Sequence, residues 1–347
     1  MVSLLGLATA VPPYALDQSV IMETGLRVFA SIFARYPNLA DVFVNTGIER
    51  RYAVRPMDWY LSPRDWSERT AAYLEGADAL FVEAASAALA RAGVSAKDID
   101  VIVTVSSTGI ATPSLEARVG EQMGFRTDAM RVPVFGLGCA GGVSGLSLAS
   151  RLARGKPGDN VLLVVIELCT LSFRLDRIEK ADVVSSALFG DGAAAAVLRA
   201  DQGESAAPRI GAAAEHTWPG TLDIMGWSVD PIGFGVVLSR ALPRFVEYRL
   251  AAPARHFIER AGLRGPSFIC HPGGTKVLTA VETALGLADG ELTDEREVLR
   301  DFGNMSAPTV LFVLERALRR GLKQTSVLSA LGPGFTASFL ALEAGRG

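Results

Sequence analysis

The chain has 347 residues, of which 49% are apolar and 20% charged, with a formal net charge of −3. That balance excludes a disordered chain, which needs low hydrophobicity and high net charge, and it suits about two domains with a well-buried interior. Lys and Arg number 34 against 37 Asp and Glu, and the densest basic stretch, Arg316, Arg319, Arg320 and Lys323, falls at helical spacing. It reads as a solvated helix face, so nucleic acid is not an expected partner.

From the N-terminus, residues 4–9 read as a strand stopped by Pro12 and Pro13, with no basic segment of the kind that opens a signal peptide. Residues 18–34 have mixed helical character, and residues 69–92 carry long helical periodicity with Gly93 as the stop. Residues 99–106 read as a buried strand, 114–123 as a helix and 131–137 as a strand. Residues 132–150 carry no charge, a length that raises the question of a membrane span. Pro133 and the glycines at 136, 138, 141, 142 and 145 turn it instead into a strand, turn and helix inside a protein, so no membrane span is expected.

Residues 160–168 form another buried strand, and Gly190–Asp191–Gly192 is a turn before a further strand. The polar stretch 201–208 is the expected junction between two halves, residues 1–204 and 205–347. Beyond it come a strand near Ile210, a loop over 218–230 and a helix over 242–261. The last third reads as a strand (267–271), helices (276–285 and 308–320) and two strands (326–331 and 336–343) about the turn Gly332–Pro333–Gly334. Continuous apolar strands separated by helices imply a parallel sheet covered on both faces, in a layered α/β fold built from two similar halves.

Cys139, Cys169 and Cys270 are too few for a disulfide framework, and none is spaced Cys-x-x-Cys. His216, His256 and His271 show no metal-ligand spacing, so no structural zinc site is expected. Unpaired thiols and no export signal point to the cytoplasm.

Cys139 sits among glycines between a strand and a helix start, where helix amides favour a thiolate and no side chain blocks a substrate carbonyl. The alternative is a small buried residue that only packs. A nucleophilic cysteine needs an imidazole. His271 ends a buried strand and enters Pro272–Gly273–Gly274, whereas His256 lies on a charged helix and His216 in a loop. His271 is the candidate, with a satisfied core histidine as the alternative. Cys270 points to the opposite face and reads as packing. Asn304, in Gly303–Asn304–Met305–Ser306, could give an uncharged donor to an oxyanion or simply cap a helix.

Together GLGCAGG (136–142), CHPGG (270–274) and GNMSAPTVLFVLE (303–315), with ALFGDGAAAAVL (187–198) and LGPGFT (331–336), resemble the type III polyketide synthases, the chalcone synthase-like family. The five motifs stand in the family's order and spacing. The resemblance implies a thiolase-like, five-layered αβαβα fold and a homodimer. It places the family's catalytic Cys, His and Asn on Cys139, His271 and Asn304, and a gatekeeper Phe on Phe189. Ser107, Cys169, Ser172, Val236, Ser306, Gly332 and Pro333 fall at substrate-binding positions. Acyl-CoA and malonyl-CoA would be the small-molecule partners, CoA arriving as part of the substrate with no separate cofactor or metal.

Three departures from the plant enzymes matter. Val236 stands for a second gatekeeper Phe, Cys169 for a threonine, and Asn38, Asp41 and Asn45 for basic residues that hold CoA phosphates, which leaves Arg35 as a candidate. Residues 225–243 are more similar to bacterial members that make alkylpyrones or alkylresorcinols, so a fatty acyl starter is the expectation. The alternatives are a ketoacyl synthase III-like enzyme making one condensation, a papain-like protease, and a catalytically silent scaffold.

Overall fold

Asn160–Leu168 and Asp191–Ala200 are buried almost from end to end, so each needs a strand on either side and cover on both faces. The computed structural model describes residues 1–200 and 206–345. Its strands are β1 Val2–Ala10, β2 Tyr14–Asp17, β3 Arg50–Ala53, β4 Ile99–Val105, β5 Met130–Val134, β6 Asn160–Leu168 and β7 Asp191–Ala200. The second half holds β8 Arg209–Thr217, β9 Met225–Asp230, β10 Gly233–Leu238, β11 Ser267–Cys270, β12 Thr325–Gly332 and β13 Thr336–Glu343.

Nine of them form one sheet in the order β11-β12-β13-β8-β1-β7-β6-β4-β5. The halves join at β1 and β8, where only Val2 and Ser3 pair. The helix Gly141–Gly155 packs on β4, β6 and β7 of the first half and on β12 and β13 of the second. Beside it the helix Thr309–Arg320 packs on β1, β11 and β12. These two helices are the middle layer.

The helix Trp66–Ala92 covers β1, β6 and β7 from outside. It opens on a capping box between Asp65 and Glu68 and ends at Gly93, whose φ of 64° suits a residue without Cβ. On the far side Ala251–Arg260 lies on β13 and against Thr275–Leu285. Helix, first half of the sheet, helices, second half of the sheet, helices: with the sheet's two halves as separate layers, the layering is the expected αβαβα.

The expected all-parallel sheet is corrected. Only β4–β5, β4–β6 and β11–β12 are parallel. The pairs β1–β7, β6–β7, β1–β8, β8–β13 and β12–β13 are antiparallel. The short turn after Gly332 can only return the chain antiparallel, and a connection through a helix permits either direction, as β6 and β7 show: they are joined through Lys180–Leu188 and are antiparallel.

The expected loop over 218–230 contains β9, which pairs with β10 as a hairpin. Glycines at 226, 233 and 235 hid it, and Asp230 Oδ1 closes its turn by accepting from the Ile232 and Gly233 amides. The helix Thr293–Phe302 was not anticipated, and the helix expected over 242–261 is broken into Leu242–Arg249 and Ala251–Arg260. Similarly, 114–123 holds two short helices, Leu115–Arg118 and Gly120–Met123. Residues 201–205, with the expected boundary between the halves, lie outside the described residues. No described helix is long and apolar enough to cross a membrane.

Candidate active site

The chain leaves β5 at Val134 and tightens into a one-turn helix, Gly138–Ala140, before the helix Gly141–Gly155. Cys139 sits in that turn. Gly136 and Gly138 have φ of 90° and 47°, and a Cβ on Gly138 would lie 2.6 Å from Pro333 Cδ. Ser107 Oγ accepts from the amides of Gly136 and Gly138 at 3.1 and 3.2 Å. The Ser107 amide donates to Glu167 Oε2 at 3.0 Å, and its carbonyl accepts from Trp227 Nε1 at 2.8 Å. Thus β4, β6 and β9 all hold the nucleophile's turn through one serine.

His271 directly follows β11, and its amide donates to the Ser329 carbonyl at 2.8 Å. It is buried, and among the described residues neither ring nitrogen has a partner. Desolvation lowers its pKa from 6.5 to about 4, so the imidazole is uncharged at neutral pH. Asn304 is buried too. Its Oδ1 accepts from the Ser306 amide at 2.8 Å, and its Nδ2 donates to the Gly273 carbonyl at 3.2 Å, in the loop after His271. A carboxamide carries two N–H bonds, so one donor remains. The helix-cap alternative for Asn304 falls away, because Pro308 occupies the cap of Thr309–Arg320.

Cys139, His271, Asn304 and Phe189 line one cavity of about 790 Å³. The Cys139 thiol donates to Ser306 Oγ at 3.4 Å. Its surroundings do not favour the expected thiolate. Desolvation raises the pKa to about 11, and the nearby Glu167 adds to the rise. Two features explain the difference: Cys139 precedes the longer helix rather than opening it, and an uncharged His271 offers no cation. The arrangement is a thiol, an uncharged base and an uncharged amide donor around one space.

Two sequence families describe this chain. The N-terminal domain of the chalcone and stilbene synthases matches residues 1–202, and their C-terminal domain matches residues 209–344. The chain belongs to the chalcone and stilbene synthase family. It is 40% identical to a 1,3,6,8-tetrahydroxynaphthalene synthase of Streptomyces peucetius subsp. caesius, covering 98% of this chain and 92% of that one. A putative chalcone synthase of Bacillus subtilis is 33% identical, covering 98% of each. Among solved structures, the 1,3,6,8-tetrahydroxynaphthalene synthase of Streptomyces coelicolor A3(2) superposes with a TM-score of 0.93 at 27% identity, over 99% of this chain and 100% of that one. The protein is thus a type III polyketide synthase, a transferase in class.

In the synthase, the other positions implied by resemblance do not share this cavity's wall. Cys169 and Ser172 line a second, smaller cavity of about 80 Å³, and Phe189 lines both. Val236 is buried on β10, where its carbonyl accepts from Arg177 Nη2 at 2.7 Å, and it lines neither cavity. Ser107, Ser306, Gly332 and Pro333 pack around the Cys139 turn. A Cβ on Gly332 would lie 2.6 Å from both Ala140 Cβ and the Leu137 carbonyl oxygen. Cys270 is buried and accepts from Ser329 Oγ, yet it reaches the cavity wall as well.

Arg35 lines the cavity, and so do Asn38, Asp41 and Asn45. Sequence reasoning missed Lys180, Arg240 and Lys276, which bring positive charge to the same wall from three separate segments. Only Lys180 has a described partner, its ammonium lying over the Tyr36 ring. No local pattern announces them, because they converge only in the fold. His256 is exposed, as expected. His216 is exposed but lies on β8, not in a loop, with its ring against Trp218.

Proposed function

We propose that the synthase loads an acyl group from a CoA thioester onto Cys139 and extends it with malonyl-CoA. His271 takes the Cys139 proton as the sulfur attacks the thioester carbonyl. A new S–C bond forms, and the CoA thiolate leaves with that proton. Malonyl-CoA then places its thioester oxygen against His271 and the free N–H of Asn304. The bond to the carboxylate breaks, CO2 departs, and the electron pair moves onto the oxygen as an enolate.

Donors aimed at that oxygen stabilise the charge as it develops. The enolate carbon attacks the acyl–Cys139 thioester, the sulfur leaves, and the lengthened chain can return to Cys139 before cyclising. No electron acceptor is consumed, so CoA thioesters alone close the balance. Phe189 supplies an apolar wall that disfavours the charged malonyl carboxylate before CO2 is lost. The observation that carries this reading is the uncharged His271, unpartnered at both nitrogens, on one cavity with Cys139 and Asn304.

Arg35, Lys180, Arg240 and Lys276 suit the phosphates of CoA at the same cavity. The homodimer fits β5, one of the two edges of the sheet, where Met130 is 54% exposed and Phe135, just past the strand, 56%. An unpaired apolar edge is a template for a second copy.

For the starter, the argument for a fatty acyl chain needed Val236 and Cys169 on the main cavity, and neither lines it. The Streptomyces peucetius relative is named for a ten-carbon aromatic with four hydroxyl groups. Its carbon count divides into five two-carbon units, which malonyl-CoA alone can supply. That relationship favours malonyl-CoA as starter and extender. A fatty acyl starter leading to an alkylpyrone or alkylresorcinol is the second reading, supported by Leu242, Leu250 and Val281 on the cavity wall.

The test is purified protein with malonyl-CoA, alone or with hexanoyl- or myristoyl-CoA, the products read by mass. A ten-carbon aromatic from malonyl-CoA alone supports the first reading, and long-chain pyrones the second. A single condensation indicates a ketoacyl synthase III-like enzyme, and no turnover with any donor indicates a silent scaffold.

A further inference from the structure

Behind Phe189 and Asn304 lies a cation that the steps above do not use. Arg51, on β3, is 2% exposed. Its Nη1 donates to the Phe189 carbonyl at 3.0 Å and its Nη2 to Gln18 Oε1 at 2.9 Å, while Nε has no partner among the described residues. Among the described residues no carboxylate lies within ion-pair distance of it, although Asp191 is near enough to favour its charge. A buried guanidinium without a paired carboxylate is costly, and even complete buried ion pairs can often be replaced by apolar residues of similar volume without loss of stability. Filling this space does not by itself call for an arginine.

What Arg51 touches is the backbone of the site. Phe189 and Asn304 form a parallel bridge: the Asn304 amide donates to the Leu188 carbonyl, and the Gly190 amide donates to the Asn304 carbonyl. Gly190 follows Phe189 and Gly303 precedes Asn304. Cβ atoms on these glycines would lie 3.1 and 3.3 Å from Arg51 Cβ, so the arginine is seated against both sides of the bridge. Through Gln18 the network goes further. Gln18 Nε2 shares its two N–H bonds among the carbonyls of Phe43 and Ala187 and Thr46 Oγ1, at 3.0–3.2 Å. Thr275 Oγ1 in turn donates to the Thr46 carbonyl at 2.6 Å, and both threonines line the cavity.

We propose that Arg51 is a positioning residue for decarboxylation: with Gln18 it fixes the Phe189–Asn304 backbone pair and the cavity wall, and so sets where the Asn304 amide points. The inference rests on the proposed role of Asn304. A planar fork making two directed bonds does this, and neither an apolar side chain nor a single-point ammonium reproduces it. Misplacement of a donor by a fraction of an ångström lowers the rate without preventing substrate from binding.

The test compares Arg51→Met, Arg51→Lys and Asn304→Ala with the parent in malonyl-CoA decarboxylation, thermal unfolding and alkylation of Cys139 by iodoacetamide. The expected result for Arg51→Met is a modest fall in Tm, because the Phe189 carbonyl and Gln18 Oε1 each lose a donor, with a fold that stays intact at the assay temperature, kcat lowered about 10–100-fold and KM within about twofold. Arg51→Lys is expected to show the same loss of kcat, because it keeps the charge and loses the fork. Cys139 alkylation should change by less than about threefold in both, reporting an intact pocket.

Parent-like decarboxylation in either Arg51 variant overturns the proposal, as does a loss of kcat accounted for by unfolding at the assay temperature. Should Arg51→Met fail to fold, Arg51→Lys decides by the same criterion. Asn304→Ala separates the two levels. If it retains decarboxylation, the role proposed for Asn304 is wrong; if it loses activity while the Arg51 variants keep theirs, only the inference about Arg51 fails.

Discussion

The Cys139 thiol is hydrogen-bonded to Ser306 at 3.4 Å, and Ser306 holds a φ of 59° to meet it. A left-handed non-glycine residue is uncommon and carries a cost, here met by the packed segment after Asn304. Once the sulfur is ionised, the Ser306 hydroxyl can turn and donate to it. Ser306→Ala should therefore slow alkylation of Cys139 at neutral pH by about 2–10-fold, the worth of one hydrogen bond. Ser306→Gly relaxes the backbone and removes the same hydroxyl. Equal losses in both variants assign the effect to the hydroxyl; a loss in neither removes Ser306 from the activation of Cys139.

Glu167 gives a pH dependence of definite sign. Desolvation raises its carboxyl to about 8 from 4.5. The folded state therefore keeps a proton that the unfolded state has released between these values. Its contribution to stability is complete below about pH 4.5 and is lost as pH rises through 8. Glu167→Gln keeps an acceptor for the Ser107 amide but cannot titrate. Chemical denaturation at pH 5 and pH 8 should show the parent losing on the order of 1–3 kcal/mol more than the variant across that interval. His271, lowered to about 4, works in the opposite sense between pH 4 and 6.5, but it is present in both proteins and cancels. Parallel curves would mean that Glu167 is not held protonated by burial.

Gly332 permits the close approach of β12 to the Cys139 turn. Gly332→Ala should push that turn away, costing about 1–3 kcal/mol through overpacking. Condensation should fall more than tenfold, since the nucleophile moves relative to His271 and Asn304. Unfolding curves and product assays on the same preparation check both. An alanine variant with parent-like rate would show that the turn tolerates displacement.

Much of this architecture could be read from the residues. The buried strands β6 and β7 announce themselves because unbroken apolar or small runs fill residues 161–166 and 192–198, and the Cys139 turn because glycine is dense where a strand meets a helix. Strand direction could not be read the same way, since a strand covered on both faces looks alike in parallel and antiparallel company. The hairpin β9–β10 hid behind glycines. Val236 was assigned to the cavity by correspondence along the chain, and the pairing of β10 with β9 instead buries it with its carbonyl on Arg177. Arg51 carried no signal, because an arginine beside an arginine and a tyrosine reads as surface until the fold buries it.

Lys180, Arg240 and Lys276 should act on binding more than on chemistry. Alanine at any one of them should raise KM for malonyl-CoA about 3–10-fold with kcat near the parent's, as for one charge-assisted contact at a partly exposed site. The penalty should shrink as salt screens the contact. KM measured at low and at about 0.5 M salt checks this, and a KM indifferent to all three would place the CoA phosphates elsewhere.

The most direct test of the central claim is intact-protein mass spectrometry of Cys139 with acyl-CoA, followed on the same samples by release of CO2 and product from malonyl-CoA. The parent should carry one acyl group on Cys139 and make product. Cys139→Ala should carry no acyl group and make no product, yet still release CO2, because His271 and Asn304 hold the enolate. Asn304→Ala should load the acyl group but lose about 10²–10³ in decarboxylation. Product formation by Cys139→Ala, or an acyl group on any residue other than Cys139, would contradict the account.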